Sequence, residues 1–248
     1  MIIRGGPQVV EVTLDADELG VREVNAALHA LPGGAAARVV NPRGRHNLAV
    51  GLNEAVKVDI HGPVGHYVGG LGKYADITVR GSAGHGVGEN LMSGRVRIAG
   101  TADRGAAASA HGGTIVIEGD CGPCAGIALK GGTLAIAGDA GPYCGWSAQS
   151  GVILVGGDAG RNLGHALYEA VIYVAGRIDG LCGGARAEEV DENDVTAAKI
   201  LAVACGFDHI DPENLTKVVS RRYLPRFETP RRAALRTPAS GFLSTASA

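Results

Sequence analysis

The sequence predicts an all-β chain: a right-handed parallel β-helix of about seven 19-residue coils, with a small α/β cap before it and a helix plus extended arm after it. Three observations lead there. Every nineteenth residue from 62 to 176 is glycine (Gly62, Gly81, Gly100, Gly119, Gly138, Gly157 and Gly176), with no insertion or deletion. Four residues before each glycine lie Val58, Ile77, Val96, Ile115, Leu134, Ile153 and Ile172, and two before it lie Ile60, Val79, Ile98, Ile117, Ile136, Val155 and Val174. The composition, 46% hydrophobic but 4% aromatic with 40 glycines in 248 residues, suits a thin wall of small and β-branched side chains.

Each coil follows from its own residues. Alternation of apolar residues with period two, closed by a turn glycine, is a strand with one buried face. Repeated every 19 residues, such strands stack at about 4.8 Å, so seven coils rise roughly 30 Å. Two further columns fill the unit G-x-x-G-x-x-x-G. Gly65, Gly84, Gly122, Gly141 and Gly160 stand three after the register glycine, with Asp103 and Asp179 as exceptions. Gly69, Gly88, Gly126, Gly145, Gly164 and Gly183 stand seven after it, with Ala107 as the exception. Glycine takes positive φ without steric cost, so all three columns read as left-handed corners.

Residues 1–55 read as the first cap, 56–187 as the solenoid and 188–248 as the closing helix and arm. In the cap, 8–14 forms a strand. Val21, Val24, Leu28 and Leu31 then lie on one helical face, with Asp15 or Asp17 as N-cap. After the coils, Val195, Ala198, Leu201 and Cys205 mark a helix capped by Asp191 or Asn193 and ended by Gly206. From Lys217 onward the chain is basic and proline-bearing, an arm without a core of its own.

The outward positions of the strands change along the stack. Early coils carry Asp59, Arg80, Arg95 and Arg97; late coils carry Val152, Leu154, Val171 and Tyr173. An apolar face of that size calls for a cover, from this chain's own tail or from another subunit. These four residues, with Arg221, Arg222 and Arg226 of the arm, are the candidate interface.

Catalytic readings are weak throughout. Cys121-Gly-Pro-Cys124 resembles a redox tetrapeptide, but it falls at a coil corner and lacks the helix that lowers a thiol pKa. Asp120, Asp139 and Asp158 share a column about 5 Å apart, a spacing that a turn ladder explains as well as a carboxylate pair. His66 and His85 share another column, with no nucleophile at a matching position. Gly81–Gly88 is glycine-rich but lacks the strand, turn and helix of a phosphate cradle. The expectation is therefore no catalytic, cofactor-binding or metal-ligating residue in this chain. A net charge of −2 provides no field for nucleic acid or membrane. No apolar stretch reaches 18 residues and no leader-like segment follows Met1, so a cytoplasmic location is expected. Five cysteines, an odd number, fit reduced thiols.

The repeats resemble the GXGXG β-helix domain of glutamate synthase. The motifs Asn41-Pro-Arg-Gly-Arg-His-Asn-Leu-Ala-Val-Gly51, Gly88-Glu-Asn-Leu-Met-Ser-Gly94 and Asp208-His-Ile-Asp-Pro-Glu-Asn-Leu-Thr-Lys-Val-Val219 look most like its stand-alone β-helix subunits, such as those of N-methylglutamate synthases. The resemblance covers about residues 38–225. It implies a non-catalytic docking subunit that bridges a glutamine-amidotransferase-like partner and an FMN-binding synthase partner. In such a complex N-methylglutamate forms from methylamine and glutamate, with release of ammonia. FMN and an iron–sulfur cluster would sit on the partner subunits. The β-helix subunit of formylmethanofuran dehydrogenase and formyltransferase complexes carries a similar domain and is the alternative.

Overall fold

The computed structural model describes residues 11–221. Eleven strands form one sheet in the order β1 to β9, then β11, then β10. Strand β1 is Glu11–Asp15 and β2 is Ala36–Val40. The strands that precede the register glycines are β3 (Lys57–His61), β4 (Asp76–Val79), β5 (Arg95–Ile98), β6 (Thr114–Ile117), β7 (Thr133–Ile136), β8 (Val152–Val155) and β9 (Val171–Val174). Consecutive strands from β1 to β9 pair in parallel, and from β3 onward each residue meets the one 19 positions later, as Ile77 meets Val96. The parallel solenoid of about seven turns is thus observed directly. It begins before the glycine register does: β2 pairs with β3 as Ala37 to Val58, a longer spacing that the 19-residue period does not reveal.

The inward ladder is buried from Val58 to Val174. A fully buried Val, Ile or Leu is worth about 1.5–3 kcal/mol, and stacking lets each coil bury what it cannot bury alone. Three narrower columns complete the interior. Val64, Ala83, Ala102, Cys121, Ala140 and Ala159 bridge coil to coil in parallel, two residues after the register glycine. Val68, Val87, Ala106, Ala125, Cys144 and Leu163 fill a second column, and Leu91, Ala110, Leu129, Ala148 and Leu167 a third.

The register glycines serve a different purpose from the one expected. Only Gly62 among them has positive φ. The others are required because the previous coil lies too close for a side chain. A Cβ on Gly81 would stand 2.7 Å from the Gly62 carbonyl carbon, and one on Gly176 would stand 2.5 Å from the Gly157 oxygen. The same holds for Gly122 and Gly141 in the second column. Left-handed backbone belongs to the third column, where Gly69, Gly88, Gly126, Gly145 and Gly164 have φ between 62° and 70°. Ala107 keeps that turn at φ 60°, at a cost of about 1–2 kcal/mol for its Cβ, so coil three stays regular despite the substitution.

At the first end, α1 (Val21–His29) packs Val24 and Leu28 onto the core. Its N-cap is Gly20, without a side-chain cap. The aspartates proposed for that role are otherwise engaged. Asp15 accepts from Asn41 and from the Asp17 N–H, which together hold its carboxyl below the ordinary range. Asp17 pairs with Arg43 and Arg45. At the far end, β10 (Ala185–Glu189) leads to α2 (Glu192–Cys205), a short 3-10 turn (Pro212–Asn214) and β11 (Thr216–Ser220). Strand β11 returns antiparallel between β9 and β10, which pairs the last parallel strand instead of leaving it as an open edge. Among the described residues, no helix is long and apolar enough to cross a membrane.

Candidate functional site

The apolar half of the outer sheet face is covered by this chain's own α2 and the 207–215 segment. Val116, Ala135, Leu154 and Tyr173 run down one outward column and are buried beneath Ala198, Ala202, Cys205, Phe207, Ile210 and Leu215, while Val152 and Val171 pack at the margin. The chain's own tail supplies this cover. Leu154 and Tyr173 are buried beneath it.

Both ends of α2 are fastened to the solenoid. At its N-terminus Asp191 and Asp194 form a reciprocal capping box. Asp194 is buried, accepts the Tyr173 hydroxyl at 2.7 Å and receives Lys217 Nζ at 2.8 Å. Burial alone would raise the Asp194 carboxyl, but the bonds from Lys217, the Asp191 N–H and Tyr173 outweigh it and hold the group below its ordinary value. Burial and the bond to Asp194 push the Tyr173 hydroxyl up, so it stays a donor. At the C-terminus Gly206 supplies the left-handed cap. Arg95 donates to the Ala204 carbonyl at 2.6 Å and Arg97 to the Cys205 carbonyl at 2.7 Å, placing two cations at the negative end of the helix. Arg97 also pairs with Glu118. Arg221 is exposed, and its backbone N–H bonds Gly184; Arg222 and Arg226 lie outside the described residues.

The motifs that resemble catalytic ones resolve into stacking. Cys121 is an inward member of an alanine column, and desolvation pushes its thiol up to about 12. Cys144 is fully buried and raised for the same reason. The aspartate column is a backbone ladder: Asp120 accepts the Asp139 N–H at 2.8 Å, Asp139 the Asp158 N–H at 2.6 Å and Asp158 the Arg177 N–H at 2.7 Å. A Cβ at Gly138, Gly157 or Gly176 would strike these carboxylates at 2.2–2.4 Å, so register and ladder depend on each other. The histidine column is longer than the sequence suggests. His46 joins it, with ring centroids 4.2 Å from His66 and then 4.1 Å from His66 to His85. Nδ1 of His46 and of His66 each accept the next histidine's N–H, and desolvation with neighbouring imidazoles holds His66 below its ordinary value. Asp103, one of the two exceptions in the second glycine column, ends this stack 2.7 Å from His85 Nδ1. Among the described residues, no three His, Cys, Asp or Glu side chains gather to hold a metal.

Several large apolar side chains are exposed among the described residues. Tyr67, Leu71, Tyr74 and Met92 project from adjacent early coils, and Tyr143, Trp146 and Tyr168 from late ones. Ile200 and Val203 stand 67% exposed on the outer side of α2. Hollows among the described residues include about 220 Å³ between Glu11, Arg38 and Arg80, 180 Å³ beside His29, and 160 Å³ beside Tyr67 and Leu71.

No family model matches the chain. It is 39% identical over 61 residues to Protein GlxC of Rhizobium meliloti (strain 1021), a match that spans 23% of this chain and 27% of that protein. The chain is thus similar to about a quarter of a known protein.

Proposed function

We propose that this chain is a docking subunit of a glutamate-synthase-like complex, of the N-methylglutamate synthase type. In that reading it holds an amidotransferase-like subunit and an FMN-binding synthase subunit together and supplies no catalytic group itself. The observation that carries the proposal is the exposure of Tyr67, Leu71, Tyr74 and Met92 on two adjacent coils. Exposed aromatic and Met side chains are the residues that anchor interfaces. The partial match to Protein GlxC supports the glutamate-synthase-like relation, and the 19-residue parallel coils agree with the β-helix that the repeats resemble. The chemistry in such a complex would reside on the partners.

Affinity purification at native expression tests this reading. The expected result is a complex with a flavin spectrum, and Tyr74→Glu, at an exposed position, weakens recovery of the flavin-bearing partner by about tenfold while the subunit stays folded. A chain that recruits no flavoprotein, or one that turns over substrate alone, overturns it. Molybdenum or tungsten in the purified complex in place of flavin would assign it to the formylmethanofuran dehydrogenase type.

A further inference from the structure

The last coil slips out of register, and the slip creates a side-chain pair that neither the ladder nor the docking surface uses. Leu163 pairs with Leu181, one residue short of the 19-residue spacing. Cys182, which the register would have turned inward beneath Cys144 and Leu163, instead lies half-buried with its sulfur 2.9 Å from His165 Nδ1. His165 is held by two rings that meet it edge to face, Trp146 at 5.4 Å and Tyr143 at 6.1 Å between centroids. Such perpendicular contacts fix the plane of the imidazole. The backbone around the thiol is uncrowded: among the described residues, a Cβ built on Gly180 or Gly183 would find no atom within 4 Å.

The other four cysteines lack this setting. Cys121, Cys144 and Cys205 are buried. Cys124 is also half-buried, but among the described residues no imidazole bonds it. A thiol becomes nucleophilic as a thiolate, and an adjacent imidazole that takes its proton is the common device. Partial exposure then decides which thiolates an oxidant reaches.

We propose that Cys182 and His165 form a thiol-modification site that reacts with small peroxides. His165 Nδ1 takes the thiol proton. The Cys182 thiolate attacks one peroxide oxygen, the S–O bond forms as the O–O bond breaks, and the departing hydroxide takes the proton from the imidazolium as water. With hydrogen peroxide the sum is Cys–SH + H2O2 → Cys–SOH + H2O: sulfur is oxidised by two electrons and peroxide is reduced. The sulfenic acid forms on a half-buried sulfur beside His165, and a reductant thiol would restore it.

The test uses the full chain, reduced, with hydrogen peroxide and the sulfenic-acid trap dimedone, read peptide by peptide by mass spectrometry. Cys182 is expected to be labelled about tenfold faster than Cys124, because only Cys182 carries a base. His165→Asn should bring Cys182 down to the Cys124 rate, with circular dichroism checking the fold. Equal labelling of Cys182 and Cys124 in the unmodified chain overturns the proposal, and that comparison stands even where His165→Asn misfolds. An unchanged Cys182 rate in a folded His165→Asn variant overturns it as well.

Discussion

The two halves of the outer sheet face share one inward ladder and differ in what they show the solvent. In the first half, Asp59 and Thr78 occupy the outward column, and among the described residues the face is open and charged between Arg38, Lys57 and Arg80. In the second half, Val116, Ala135, Leu154 and Tyr173 occupy that same column and lie beneath α2. The backbone register is identical across the change, from Thr78↔Arg97 to Leu154↔Tyr173. The coil therefore sets the wall, and the outward column turns apolar where the C-terminal helix docks. Substitutions in that column should separate the halves energetically.

The largest difference is expected from truncation in the covered half. Leu154 is fully buried, and Leu154→Ala leaves a cavity between β8 and α2. It should cost about 3 kcal/mol in denaturant unfolding. Thr78→Ala, its counterpart in the open half, should stay within about 0.5 kcal/mol. Equal losses at the two positions would mean that α2 contributes nothing to the stability of the stack.

A smaller effect, with its own pH signature, is expected at the buried carboxylate that holds the start of α2. Asp194→Asn keeps the shape but weakens the bonds from Lys217 and Tyr173, at a cost of about 2 kcal/mol near neutral pH. The folded Asp194 titrates below its ordinary value of 3.8, so its contribution is present above that value and fades as pH falls through the lower folded value. The gap between the wild-type and Asp194→Asn stability curves should accordingly close only in acid. A gap that instead narrows as pH rises from 5 to 8, still well below the ordinary lysine range, would contradict this reading of Asp194.

Much of this architecture was legible in the sequence because it repeats. The inward ladder from Val58 to Val174 and the closing helix with its Asp191 and Gly206 caps carry strong residue preferences at fixed spacing. The left-handed positions five and nine residues after the register glycine were not legible. Tyr67, Gly86, Gly105, Cys124, Tyr143 and Asn162 share one of these columns, all with φ near 60° to 71°, and no common residue type marks it. Their conformation is imposed by hydrogen bonds between coils, such as Tyr67 N–H to His85 and Tyr143 N–H to Arg161, so it belongs to the stack and not to the residue. The glycine columns were legible as turns, while the reason for most of them, close approach of the previous coil, is a distance between residues 19 apart. The exposed row from Tyr67 to Met92 carried no signal, since single aromatic residues in a coil do not announce their outward direction. His165 and Cys182 stand 17 apart, off the repeat, and meet only because the final coil slips.

The smallest effect lies at the boundary between the halves. Arg97 is the last charged member of the outward column before Val116, and it joins the two regions by donating to the Cys205 carbonyl at the end of α2. Arg97→Ala removes that bond and one cation from the negative end of the helix, a loss of about 1 kcal/mol that salt should reduce. Arg95 continues to hold the Ala204 carbonyl, so α2 should remain docked and the loss should appear as faster amide exchange in its last turn, with the Asp194 end unaffected. Were the whole helix to exchange faster together, α2 would be one cooperative unit fastened at either end. Exchange confined to the last turn would instead show that burial over Leu154 and Tyr173 secures the helix and that the arginines only trim its end.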